Sequence, residues 1–129
     1  MPTLNPSAGQ DTGYSIVLTT VSTAGQADSL ARQIVEARLG ACVQIAPIQS
    51  IYRWQGTLCS EPEYRLSIKT RHAKFDELAR FISANHSYDT PEIVQIPMSA
   101  GSAAYLQWIS EGTQGAPDEP EPDGQFALP

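Results

Sequence analysis

Histidine, tyrosine, aspartate and glutamate come together once in this chain, in the run HSYDTPEI at residues 86–93. There His86 offers a base, Tyr88 a hydroxyl, and Asp89 and Glu92 two carboxylates, the materials of acid–base work or of a polar binding loop. The ordinary explanation of such a run is a turn, with Asp89 and Thr90 shaping the approach to Pro91. Lys69 ends an alternating segment, in phase with Glu63 and Arg65, and is either a ligand-facing cation or part of a solvated strand face. Trp54 is either an interface anchor or a ring lining a cleft. Cys42 fits a small buried position as well as it fits a soft ligand.

Spacing argues against a ready-made metal centre. The chain has two histidines, two cysteines and no C-x-x-C or H-x-x-x-H cluster. A site would have to be assembled from distant residues or several subunits. Cys42 and His86, with Glu92, are the available ligands, and thiolate with imidazole suits Cu or Zn better than Mg or Ca. No G-x-S-x-G, no base beside either cysteine and no Gly-rich phosphate loop selects a reaction, so an enzyme is not expected.

The elements that must position these residues are legible. Residues 41–70 read as one long β-hairpin turning at Gln55-Gly56, its second arm alternating Tyr64, Leu66 and Ile68 against Glu63, Arg65, Ser67 and Lys69. A 14-residue arm spans roughly 45 Å, against a radius of gyration of about 13 Å for a domain of about 100 residues. The hairpin should therefore overhang its own domain, with Pro47 expected at a bulge or bend. Before it, YSIVLTTV at 14–21 reads as a central strand. Thr23 and Gln26 form a capping box opening an amphipathic helix through Ala27, Leu30, Ala31, Ile34 and Val35. Arg38 and Gly40 mark its end. After the hairpin come a helix over 73–84 with stripe Phe75, Leu78, Ala79 and Ile82, a short strand over 92–98, and a last helix over 101–109 burying Tyr105, Leu106, Trp108 and Ile109.

The order β-α-β-β-α-β with an extra C-terminal helix predicts an α+β, ferredoxin-like fold with a long projecting hairpin. One face of its sheet lacks a cover, and an overhanging ribbon is marginal alone; both point to an oligomer. The folded domain is expected over 13–110, after a disordered arm at 1–12 and before an acidic, Pro-rich disordered tail at 111–129. The net charge of −6 is uneven: five of fourteen acids stand in 111–129, where there is no Lys or Arg. With a pI near 4.7 and no basic stripe, nucleic acid is excluded as a partner. No apolar run approaches the ~20 residues of a membrane span, and no signal peptide is evident, so a cytoplasmic protein is expected.

The runs EARLGACV at 36–43, SIYRWQG at 50–56, EYRLSIKT at 63–70, HSYDTPEI at 86–93 and YLQWI at 105–109 resemble the CutA divalent-cation tolerance family, in order and over nearly all of 14–110. That resemblance implies a tight homotrimer, similar in architecture to PII signalling proteins, with hairpins paired between subunits and clefts at their junctions. It implies cleft residues Cys42, Trp54, Glu63, Lys69, His86, Tyr88 and Glu92. The chain departs from the family at Gln44, Gln55 and Ser87, and lacks the extra cysteines and adjacent histidines proposed as copper ligands in some members. The function implied is a trimeric, PII-like binding or signalling protein in the response to metal ions, holding a small anionic or zwitterionic ligand in its intersubunit clefts. Direct copper or divalent-metal binding is the alternative, and a structural trimeric scaffold for a protein partner a further one.

Overall fold

The computed structural model describes residues 12–115. Its elements are β1 (Tyr14–Val21), α1 (Ala24–Glu36), β2 (Cys42–Trp54), β3 (Thr57–Arg71), α2 (Phe75–Ala84), β4 (Val94–Pro97) and α3 (Ala103–Gly112), with a 3-10 turn at His72–Lys74 leading into α2. The strands form one antiparallel sheet in the order β2-β3-β1-β4. This is the expected α+β, ferredoxin-like arrangement, with the extra C-terminal helix and the projecting hairpin in place.

Alternation along β1 and β3 builds the core. Val17 lies opposite Ile68 and Thr19 opposite Leu66, and all four are fully buried. Ala27, Leu30 and Ile34 of α1 and Leu78 and Ile82 of α2 close over them. Burying each large aliphatic side chain favours folding by about 1.5–3 kcal/mol relative to exposure.

Thr23 caps α1 by accepting the Gln26 N–H at 3.1 Å. The Gln26 side chain does not return the bond; it accepts from the Ser22 hydroxyl instead, so half of the expected box forms. The other end of α1 differs more. Arg38, at φ 60°, takes the left-handed position expected for Gly40. Leu39 N–H reaches the Ile34 carbonyl at 3.0 Å and Arg38 N–H reaches that of Val35 at 3.1 Å, the paired bonds of a Schellman cap. Gly40 is needed for another reason: a Cβ there would stand 2.6 Å from Ile68 Cγ2.

The hairpin runs without interruption from Cys42↔Lys69 to Trp54↔Thr57. Pro47 makes no bulge; it pairs in register with Tyr64. β2 is an edge strand, where a missing N–H can face away from the ladder. Pro62 is tolerated similarly, because β1 ends opposite Tyr64 and β3 beyond it has β2 as its one neighbour. Seven residues of each arm, Ile48–Trp54 and Thr57–Glu63, thus project past the four-stranded sheet, roughly 23 Å at strand rise.

Two boundaries move. Thr12, expected in the disordered arm, donates its hydroxyl to the Met98 carbonyl at 2.7 Å. At the other end α3 continues to Gly112, and Thr113 is fully buried. The Arg71 guanidinium donates to the Thr113 hydroxyl at 2.8 Å and to its carbonyl at 2.6 Å. The rest of the arm and tail, 1–11 and 116–129, lies outside the described residues. Helix α3 fully buries Ile109 alone, and Tyr105, Leu106 and Trp108 remain half-buried. It also covers one end of the supposedly bare sheet face, where Tyr14 and Ser110 share a hydroxyl hydrogen bond and Lys69 meets Tyr105. On the same face Val94 and Ile96 stay open, 46% and 43% exposed.

Candidate functional site

A groove of about 360 Å³ opens where the ribbon leaves the sheet. The hairpin turn sets its outer wall. Gln55 at φ 50° and Gly56 at φ 81° are both left-handed, as a two-residue type I′ turn requires. That turn and the unbroken register put Tyr52 and Trp54 on the face that carries Glu63. Thr20, at the end of β1, forms the floor, and the loop between α2 and β4 supplies Tyr88, Asp89, Thr90 and Glu92.

The loop is fixed by its own side chains. Tyr88 donates its hydroxyl to Glu63 Oε2 at 2.8 Å. The His86 ring packs against the Tyr88 ring with centroids 4.8 Å apart. His86 Nδ1 accepts the Tyr88 backbone N–H at 3.1 Å, so the ring proton sits on Nε2, which donates to the Thr20 carbonyl at 2.8 Å. Burial first, and then the Glu63 carboxylate, push the Tyr88 phenol up to about 12. The Tyr52 phenol is also raised, by desolvation and by the charge of Glu61. The groove therefore presents neutral aromatic faces and hydroxyls beside Glu63, Asp89 and Glu92, with no Lys, Arg or His among its lining residues.

Of the residues singled out in the sequence, Trp54, Glu63, Tyr88, Asp89 and Glu92 meet in this groove. His86 stands behind it, both ring nitrogens engaged by backbone groups. Lys69 does not join them within the chain. It lies six residues along β3 from Glu63, roughly 20 Å at strand rise, with Nζ 5.6 Å from the Tyr105 ring centroid. Tyr105 in turn stacks on Trp108 at 5.6 Å. Cys42 sits opposite Lys69, while His86 binds the carbonyl of Thr20, which pairs with Arg65 four residues back along β3. Cys42 and His86 thus do not assemble a metal site in one chain. Among the described residues no group of three or more His, Cys, Asp or Glu side chains could hold a metal ion. Tyr52 and Thr20 were missed. Tyr52 shares a strand face with Trp54 by simple alternation, whereas Thr20 becomes visible once the β1–β3 register is known.

The model of the CutA1 divalent ion tolerance protein family matches residues 15–112. The chain belongs to that family. A CutA protein of Thermus thermophilus, named a divalent-cation tolerance protein, is 42% identical over 99 residues, covering 76% of this chain and 96% of the relative. The chloroplastic CutA protein of Arabidopsis thaliana is 40% identical over 100 residues, 77% of this chain and 55% of the plant protein. This chain therefore spans just over half of the plant relative's length. Among solved structures, CutA of Synechococcus elongatus superposes with a TM-score of 0.78 at 41% identity, covering 81% of this chain and 94% of that one. The CutA protein of Archaeoglobus fulgidus, described as periplasmic, gives a TM-score of 0.77 at 35% identity over 78% of this chain and 99% of that one. The expectation of a cytoplasmic protein is overturned by this comparison, since CutA relatives are chloroplastic in one case and periplasmic in another. The family and its Thermus thermophilus member are named for tolerance of divalent cations, and neither name states a catalysed reaction. Among the described residues no helix is long and apolar enough to cross a membrane.

Proposed function

We propose that this member of the divalent-cation tolerance family is a trimeric, PII-like binding and signalling protein rather than an enzyme, and that its ligand seats in the groove bounded by Glu63, Trp54 and Tyr88. One observation carries the reading: three carboxylates and three aromatic rings line one groove with no basic residue among them. Such a lining favours a ligand with a positive end, held by carboxylates and by the faces of Trp54 and the two tyrosines. A zwitterion fits, and a simple anion does not.

The trimer is supported by what one chain leaves open. Ile51 and Leu58 on the ribbon are each 70% exposed and Trp54 52%, and a two-stranded ribbon is marginal without a partner. The alternative of direct copper or divalent-metal binding has no comparable support, because Cys42 and His86 lie apart.

Titration followed by tryptophan fluorescence tests the reading, with choline and small amino acids as probes and acetate as the anionic control. Saturable changes are expected with the ammonium-bearing probes, weak or none with acetate, and a loss in Glu63→Gln. Acetate binding as tightly as the others, or an unaltered response in Glu63→Gln, overturns it.

A further inference from the structure

Three aromatic rings and three carboxylates in one groove can hold two kinds of cation, and the hydrogen bonds around them separate the two. A primary ammonium needs acceptors for its N–H groups, whereas an N-methylated one carries its charge inside apolar surface and needs ring faces. The acceptors here are largely in use. Glu63 Oε2 takes the Tyr88 hydroxyl at 2.8 Å, and Glu61 Oε1, on the same ribbon face, takes the Tyr52 hydroxyl at 3.4 Å. Asp89 and Glu92 are exposed, so water satisfies them. Thr20, on the floor, is 5% exposed and adds one hydroxyl.

The rings, by contrast, are free to offer their faces. The Tyr88 hydroxyl is committed to Glu63 and has the Ser22 hydroxyl as a further partner, while His86 backs its ring at 4.8 Å between centroids. What Tyr88 gives the groove is therefore ring surface. Tyr52 leans back along the ribbon, since its hydroxyl reaches Glu61 and not the directly opposite Cys59. It comes near enough to Tyr88 to act on the second phenol. Trp54 stands on the same strand face two residues further out, 52% exposed.

We infer that the groove is an aromatic cage for an N-methylated ammonium group: Tyr52, Trp54 and Tyr88 receive the methyls, and Glu63 supplies the counter-charge without requiring an N–H. The inference rests on the reading of this groove as the seat of a ligand with a positive end, and it narrows that ligand to a class, the quaternary or highly methylated amines. A primary ammonium is strongly hydrated and gives up its water at a cost that a groove short of acceptors does not repay. A carboxylate already bonded to a phenol still attracts a methylated cation through space, and each methyl that leaves water against a ring adds to the affinity. The volume of about 360 Å³ lies in the range of small-molecule pockets.

Calorimetric titration of the full-length, assembled protein with ethanolamine, dimethylethanolamine and choline at neutral pH varies the methyl count at constant charge. Affinity should rise along the series by roughly fourfold for each methyl fully buried, leaving choline about tenfold or more tighter than ethanolamine. The uncharged alcohol in which carbon replaces the choline nitrogen should bind far more weakly, because Glu63 then has nothing to attract. Trp54→Leu should bring choline down towards the level of ethanolamine and move ethanolamine less, a selective loss that mere loosening of the fold would not produce. Tyr52→Phe keeps the ring and should keep the preference. If Trp54→Leu does not assemble, the series on the unaltered protein decides. Ethanolamine bound as tightly as choline, with both lost in Glu63→Gln, overturns the cage and leaves the ligand with a positive end standing; so does a choline preference that survives Trp54→Leu. Binding of none of the three amines, or the uncharged alcohol bound as tightly as choline, overturns the cage and that reading together.

Discussion

Removing the Tyr88 hydroxyl isolates the contact that shapes the groove. In Tyr88→Phe the ring and its packing on His86 remain, and the 2.8 Å bond to Glu63 is lost. A hydrogen bond to a charged acceptor contributes about 1.5–3 kcal/mol in general. Both residues are half-buried, and Glu63 lines an open groove where water can replace the phenol. Solvent screening therefore brings the loss down to about 1 kcal/mol, or about 5 °C in melting temperature for a domain of this size. The pH dependence has a definite sign. The Tyr88 phenol is raised, first by burial and then by Glu63, from 10.0 to about 12. A raised value means that the neutral phenol is favoured in the fold, so the stabilisation is fully present below about pH 10 and fades as pH climbs through 12. Calorimetry of both proteins should show a constant gap from pH 7 to 9 that narrows above 10. Equal stability at pH 8, or a gap that widens above pH 10, would refute the reasoning.

Two further substitutions test the fold that holds the groove. Gly40→Ala pushes a Cβ to 2.6 Å from Ile68 Cγ2 and should cost about 1–3 kcal/mol; Ile68→Leu, which removes that branch, should make the double variant at least roughly 0.5 kcal/mol better than additive. A strictly additive pair in thermal unfolding would show that Gly40 is needed for its backbone instead. Ending the chain at Gly112 removes Thr113 and both acceptors of the Arg71 guanidinium, and should cost about 2 kcal/mol, whereas ending it at Gly115 keeps them. Equal melting temperatures for the two truncations would refute the clamp.

Local chemistry made much of the molecule readable in advance. Gln55-Gly56 specified the hairpin turn because its two left-handed residues are a short-range demand, and period-2 alternation through Leu66 and Ile68 specified the buried face of β3. The failures share a cause, which is distance along the chain. Gly40 resembled a helix stop, but its role depends on Ile68, a neighbour in space across the β2–β3 connection. Alternation put Glu63 and Lys69 on one strand face, and within one chain six residues of extended strand lie between them. Cys42 and His86 are candidate ligands by residue type, and within one chain the sheet keeps them at different places. Thr20 became part of the groove through a register that a single strand does not encode. Thr113 looked like tail composition, yet Arg71 claims it.

The central claim is that the groove bounded by Glu63, Trp54 and Tyr88 carries a small molecule with a positive end. Its most direct measurement is the native mass spectrum of the protein freshly purified from its own cells, beside that of Glu63→Gln prepared identically. The account predicts a trimer bearing an adduct of reproducible mass in the unaltered protein and a bare trimer in Glu63→Gln. A bare assembly in both, or the same adduct retained without the Glu63 carboxylate, would contradict it.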